Sequence, residues 1–79
     1  MPKVRVFSTP FCPYCLTLKE FLKEREIDFE DIDVTENEIA LDEMVKKSGQ
    51  TAVPVIEIGG QVVVGFERDE ISKLLGIED

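Results

Sequence analysis

A Cys-x-x-Cys pair standing between a strand pattern and a helix pattern constrains this chain more than any other feature. Lys3-Val4-Arg5-Val6 alternates polar and apolar, and with Phe7 it reads as a strand. Ser8-Thr9-Pro10 breaks that pattern. Cys12-Pro13-Tyr14-Cys15 follows, and a helix pattern runs from near Pro13 to about Arg25. Proline suits a first helical turn, where its missing N–H would be unpaired in any case. Cys15, Leu18, Phe21 and Leu22 share one face of this helix, with Leu16 to one side. A strand feeding such a helix, with a second strand pattern after it, predicts a parallel pair joined by a right-handed crossover.

The second strand pattern is Phe29 to Val34. Thr35, with Glu38 three residues later, predicts a capping box opening the next helix. That helix carries Leu41, Met44 and Val45 on one face and stops at Ser48-Gly49, glycine being suited to a left-handed residue after a helix. Pro54 to Ile58 and Gln61 to Val64 flank Gly59-Gly60, a two-residue hairpin signal. Asp69 to Leu75 reads as a last helix with Ile71, Leu74 and Leu75 inward, closed by Gly76. The expected order is β-α-β-α-β-β-α, an α/β fold with a four-stranded mixed sheet flanked by helices. At 79 residues the expectation is a single domain, 1–79. A chain of that size buries only about 60% of the surface its unfolded form exposes. Phe7, Phe21 and Phe29 are expected in its core.

Composition narrows the function. Nine Lys and Arg against 17 Asp and Glu leave a net charge of −8, which argues against nucleic acid or an anionic membrane as partner. No apolar run approaches the roughly 20 residues of a spanning helix. Met1 to Arg5 has no apolar stretch of secretory-leader type, so the expected location is the cytoplasm. Paired cysteines there are more often catalytic or metal-binding than structural. At the start of a helix, Cys12 meets unpaired backbone N–H groups and the positive end of the dipole, and both favour a thiolate. Cys15, one turn on, can reach back to a mixed disulfide on Cys12, which is the minimum set for thiol–disulfide exchange. A structural zinc site needs four ligands, and the chain has two cysteines and no histidine. An inert disulfide across so short a span would constrain almost nothing. Redox catalysis is therefore the reading of the pair.

Cys12-Pro13-Tyr14-Cys15 resembles the motif of dithiol glutaredoxins, and Ala52-Val53-Pro54 resembles that family's Thr-Val-Pro segment, with Thr51 displaced by one place. Length and element order agree, so the resemblance covers nearly the whole chain and implies the thioredoxin/glutaredoxin fold. It implies that the Val53–Pro54 bond is cis, that Pro54 faces the cysteines, and that the Val53 backbone pairs with the incoming thiol compound. Two departures stand out. The family usually carries Lys or Arg shortly before the first cysteine, where this chain has Ser8-Thr9-Pro10-Phe11. The family also carries a Gly-Gly pair and an Asp that hold the amino end of glutathione. Val64-Gly65-Phe66-Glu67-Arg68-Asp69 places Asp69 one position later and is similar to the Gly-Phe-x-x-Asp pattern of NrdH-type redoxins. Those proteins take electrons from thioredoxin reductase and reduce ribonucleotide reductase.

The resemblance thus implies a disulfide oxidoreductase with Cys12 as nucleophile and Cys15 as resolving thiol. Phe11, Pro13, Tyr14, Val53, Pro54, Gly65, Phe66 and Asp69 are its expected substrate-binding residues. Phe11, Tyr14 and Phe66 would form an apolar rim that docks partner disulfides, with Gly65 and Phe66 as the far wall of the cleft. Arg68 would supply part of the missing positive charge. No bound cofactor is expected. Glutathione or a thioredoxin reductase would be the electron donor, disulfide-containing proteins the substrates, ribonucleotide reductase a candidate among them, and a monomer the default state. The alternative is an iron–sulfur or soft-metal carrier using Cys12 at a subunit interface, a reading that Pro13 lowers because the motif with it resembles that of glutaredoxins that do not hold clusters. A binding module without activity is a third reading, opposed by the retention of both cysteines. Lys19 and Lys23, and the acidic stretch Glu24 to Glu38, read as solvated surface.

Overall fold

The computed structural model describes residues 3–77. The elements follow in the order β1 (Val4–Ser8), α1 (Pro13–Glu24), β2 (Glu30–Asp33), α2 (Glu38–Ser48), β3 (Val55–Ile58), β4 (Gln61–Val64) and α3 (Arg68–Leu75). They form one four-stranded sheet of order β2-β1-β3-β4. β1 runs parallel to β2 and antiparallel to β3, and β3 pairs antiparallel with β4. The order and mixed sheet match the expectation from sequence, with strand ends displaced by about one residue. Pro54 falls outside β3 because it has no N–H to give a ladder.

Helices cover both faces of the sheet, which is why the two central strands are apolar on both sides. Val4 and Val6 of β1 and Ile56 and Ile58 of β3 pack with Val63 against Leu18, Phe21 and Leu22 of α1 and Ile71 of α3. On the other face Phe7, Ile32, Val34 and Val55 pack against Ala40 and Met44 of α2. Leu41, Val45, Leu74 and Leu75 pack on these clusters while partly exposed, and so does Phe29. Phe7 and Phe21 are buried, whereas Leu16 is exposed. At the hairpin, Gly59 and Gly60 have φ of 54° and 93°, the positive values that a type I′ turn requires at both central positions.

The α2 face has one polar patch. Arg5 of β1 stands opposite Glu57 of β3 and Glu30 of β2 in the strand register. Its guanidinium reaches Glu43 of α2 at 2.6 Å, Glu57 at 3.0 Å and Glu30 at 3.4 Å. Lys47 of α2 joins Glu43 at 2.8 Å and Glu57 at 2.7 Å.

The capping box expected at Thr35 is not formed. β2 ends at Asp33, whose carboxylate accepts both the Thr35 N–H at 2.9 Å and the Thr35 hydroxyl at 2.6 Å. This local turn takes Thr35 out of competition, and the cap passes to Asn37, whose side-chain oxygen accepts the Ala40 N–H at 3.1 Å. Glu38 then begins the helix rather than closing a box. Asn37→Ala should therefore cost about 1 kcal/mol, and Thr35→Ala less than about 0.5 kcal/mol. Urea unfolding of the two variants measures the difference, and equal losses would return the cap to Thr35.

Candidate active site

The Cys12–Cys15 turn is built by the junction of β1 and α1. Cys12 is the N-cap, with extended backbone (φ −106°, ψ 110°), and Pro13 opens the helix. The backbone N–H of Cys15 donates to the Cys12 sulfur at 3.1 Å. A helix start leaves such N–H groups without intrahelical partners, and here a sulfur replaces the usual Ser or Asp oxygen. Cys12 is partly exposed, whereas Cys15 is fully buried at 0%. Both are free thiols. Burial, and then a hydrogen bond with Cys12, push the Cys15 thiol up to about 11, while a Thr9 backbone hydrogen bond and the Lys19 charge pull the other way. One sulfur thus stands at the surface in the field of a helix N-terminus, and the other stays a neutral thiol beneath it.

Across the cleft, the Val53–Pro54 peptide is cis. Pro54 is buried, and the Cys12 thiol lies 3.9 Å from the Val53 carbonyl oxygen as a weak S–H donor. The Pro54 carbonyl accepts the Gly65 N–H at 2.7 Å, tying the β4–α3 loop to the proline. Gly65 needs φ of +83° there, which favours glycine although a Cβ would meet open space. Gln50 organises the approach to this loop. Its amide nitrogen donates to Ser48 Oγ at 3.1 Å and to the Ala52 carbonyl at 3.2 Å, and its oxygen accepts the Ala52 N–H. No periodicity or motif marks Gln50 in the sequence, because its role depends on the loop conformation.

The glutaredoxin family model matches residues 4–63, which hold both the cysteine turn and the cis proline. The chain belongs to the glutaredoxin family. A glutaredoxin-like 8.6 kDa protein of the rubredoxin operon of Clostridium pasteurianum is 44% identical over 72 residues, covering 91% of this chain and 96% of that protein. The crystal structure of a thioredoxin-like protein superposes with a TM-score of 0.92 at 35% identity, over 99% of this chain and 100% of that one. The glutaredoxin-like NrdH-redoxin of Escherichia coli superposes with a TM-score of 0.80 at 28% identity, over 91% and 93% of the two chains. The fold is the thioredoxin/glutaredoxin fold, and the family makes this chain a thiol–disulfide oxidoreductase.

The remaining residues marked in the sequence are distributed unevenly about this glutaredoxin site. Phe11 and Tyr14 flank Cys12 and are 87% and 69% exposed. Phe66 packs edge-on against Phe21 with ring centroids 5.4 Å apart, further along α1, and is partly buried on the core. The guanidinium groups of Arg25 and Arg68 lie 4.0 Å and 5.5 Å from the centre of the Phe21 ring. The Arg68 charge is therefore drawn to Phe21. Asp69 is exposed in the first turn of α3. Lys23 is exposed as expected. Lys19 departs from the expected solvated face: its side chain is only 17% exposed, and its ammonium meets Asp31 of β2 at 2.9 Å. The four-residue step from Cys15 to Lys19 was the sequence signal for this. Among the described residues, no group of three or more His, Cys, Asp or Glu is arranged to hold a metal ion, and no helix is long and apolar enough to cross a membrane.

Proposed function

We propose that this chain reduces disulfides by a dithiol mechanism on Cys12 and Cys15. The Cys12 thiolate attacks one sulfur of a substrate disulfide. A Cys12–substrate disulfide forms, the substrate S–S bond breaks, and the displaced thiolate takes a proton from solvent. Cys15 then loses its proton and attacks the Cys12 sulfur, and the second substrate thiol leaves with a proton. The protein is oxidised by two electrons and the substrate disulfide is reduced to two thiols. The observation that carries this reading is the Cys12 sulfur at the N-cap, partly exposed, receiving the Cys15 N–H and lying beside the Val53 carbonyl of the cis-proline loop. In that position the sulfur receives the donated N–H and faces the positive end of the α1 dipole. Phe11, Pro13 and Tyr14 on one side and Val53, Pro54 and Gly65 on the other would receive the disulfide. Phe66 and Asp69 would act from the margin of the cleft. Disulfide-containing proteins in a reducing cytoplasm are the proposed substrates, a ribonucleotide reductase among the candidates, with the chain acting as a monomer that needs no bound cofactor.

For the electron donor, the reading is that a thioredoxin-reductase-like flavoprotein reduces the oxidised protein at least as fast as glutathione does. Glutathione carries two carboxylates, so a dedicated site would offer it cations. The segment from Ser8 to Phe11 has none, and a net charge of −8 opposes an anion's approach. The similarity to the Escherichia coli NrdH-redoxin, a glutaredoxin-like protein with a thioredoxin-like activity profile, supports the same choice. The test is reduction of the oxidised protein by millimolar glutathione and, separately, by thioredoxin reductase with NADPH. Rapid turnover with glutathione and none with the reductase would overturn the donor assignment and leave the role of Cys12 intact.

A further inference from the structure

The geometry points to Lys19 as a positioning residue for the resolving half-reaction: its ammonium, anchored to the sheet by Asp31, holds positive charge on the same side of α1, one helical turn from the thiolate that Cys15 becomes when it attacks the mixed disulfide. The inference rests on the dithiol reading above and assigns a residue to its second step.

Cys15 and Lys19 are one turn apart on the same side of α1, a spacing that brings side chains within about 5–6 Å at their Cβ atoms. Lysine chains on a helix surface usually extend into water, but this one is drawn inward. Its side chain is 17% exposed, and its Nζ lies 2.9 Å from Asp31 Oδ1. Ser8, itself buried at the end of β1, donates its hydroxyl to the same Asp31 oxygen at 3.3 Å. Ser8, Thr9, Pro10, Lys19, Asp31 and Asp33 line a pocket at this end of the sheet. The charged and titratable groups around the buried thiol are Cys12 at the start of its own helix and Lys19 one turn on. Thr9, just past the end of β1, approaches with a backbone hydrogen bond. From β2, Asp31 and Asp33 both feel the Lys19 charge, directly and through space respectively. Lys19 is the cation in this set, and its field acts on Cys15 against the effect of burial.

The chemistry needs such a group. In the mixed disulfide, Cys12 no longer carries a charge. Cys15 must give up a proton inside the protein, form a bond to the Cys12 sulfur and expel the substrate thiolate, which ends with the proton. A buried thiol makes that step slow unless a nearby cation favours its anion. Asp31 holds the ammonium in place before the step.

The test is stopped-flow reaction of the reduced protein with 4,4′-dithiodipyridine, a neutral disulfide whose released thiopyridone absorbs. The first equivalent reports attack by Cys12 and the second reports resolution by Cys15. Lys19→Met is expected to slow the second phase about 3- to 10-fold near neutral pH, the scale of losing one partly screened charge. It should shift that phase's pH profile upward and leave the first phase within about twofold. Lys19→Arg, which keeps the charge, should restore most of the second phase. An unchanged second phase in Lys19→Met, equal slowing of both phases, or an Arg variant as slow as the Met variant would each overturn the assignment. Failure of the wild-type protein to release a first equivalent would refute the Cys12 reading and this inference with it, a pattern distinct from a second phase indifferent to Lys19.

Discussion

Cys12→Ser is expected to lower disulfide reduction to the uncatalysed level, and Cys15→Ser to halt it after one covalent step. The asymmetry follows from the two environments. Cys12 is the exposed sulfur at the helix start, and a serine hydroxyl there has no comparable nucleophilicity at neutral pH. Cys15 has no surface from which to attack an incoming disulfide, and burial holds it as a thiol with a pKa of about 11. It becomes reactive when a disulfide on Cys12 is brought to it. Cys15→Ser should therefore accumulate a Cys12 mixed disulfide with an oxidised protein substrate. Mass spectrometry would find the adduct at the added mass of the substrate, and in Cys12→Ser it would be absent. Comparable activity in the two single variants would remove the assignment of roles.

Arg5→Ala should cost about 3 kcal/mol of stability, the largest loss expected from any single charged residue described here. Arg5 is 19% exposed along its side chain and answers three carboxylates on three elements, Glu30, Glu43 and Glu57. Its guanidinium also lies 5.1 Å from the centre of the Phe7 ring. Removing it leaves Lys47 alone to face Glu43 and Glu57 beneath α2. A loss of that size is a large fraction of the net stability of a small domain, which is typically about 5–15 kcal/mol. Arg5→Lys should recover part of it, because an ammonium supplies the charge without the planar fork. Acid dependence gives a second measure. Arg5, with Lys47 after it, holds the Glu43 carboxyl at about 2 against an ordinary value of 4.5. A carboxylate depressed by folding contributes stability above its unfolded pKa and loses it as pH falls toward the folded one. Wild-type unfolding free energy should thus drop between pH 4.5 and 2, and Arg5→Ala should show a shallower drop there. Urea titrations across that range measure both, and a variant within about 0.5 kcal/mol of wild type would show the network to be energetically idle.

Local pattern alone settled the element order, the cysteine turn and the hairpin. Alternation in β1, the apolar stripe on α1, proline after Cys12 and the Gly59-Gly60 pair are each decided by interactions within a few residues, so they can be read without knowing what lies across the fold. The cis state of Val53–Pro54 came from resemblance, since an isolated sequence says little about it. Tertiary structure decided what depends on distant partners. Asp33 claimed Thr35, so the helix cap moved to Asn37. Phe66 turned onto Phe21, and Lys19 turned inward to Asp31 on a neighbouring strand. Gln50 gained its function from the loop it closes around Ala52. Alternation placed Arg5 in β1 without its partners, and α2 supplied them by covering that face with Glu43 and Lys47. A charged side chain's surroundings are set by which elements pack over it, and that is fixed by the sum of apolar burial across the whole sheet, not by its neighbours in the chain.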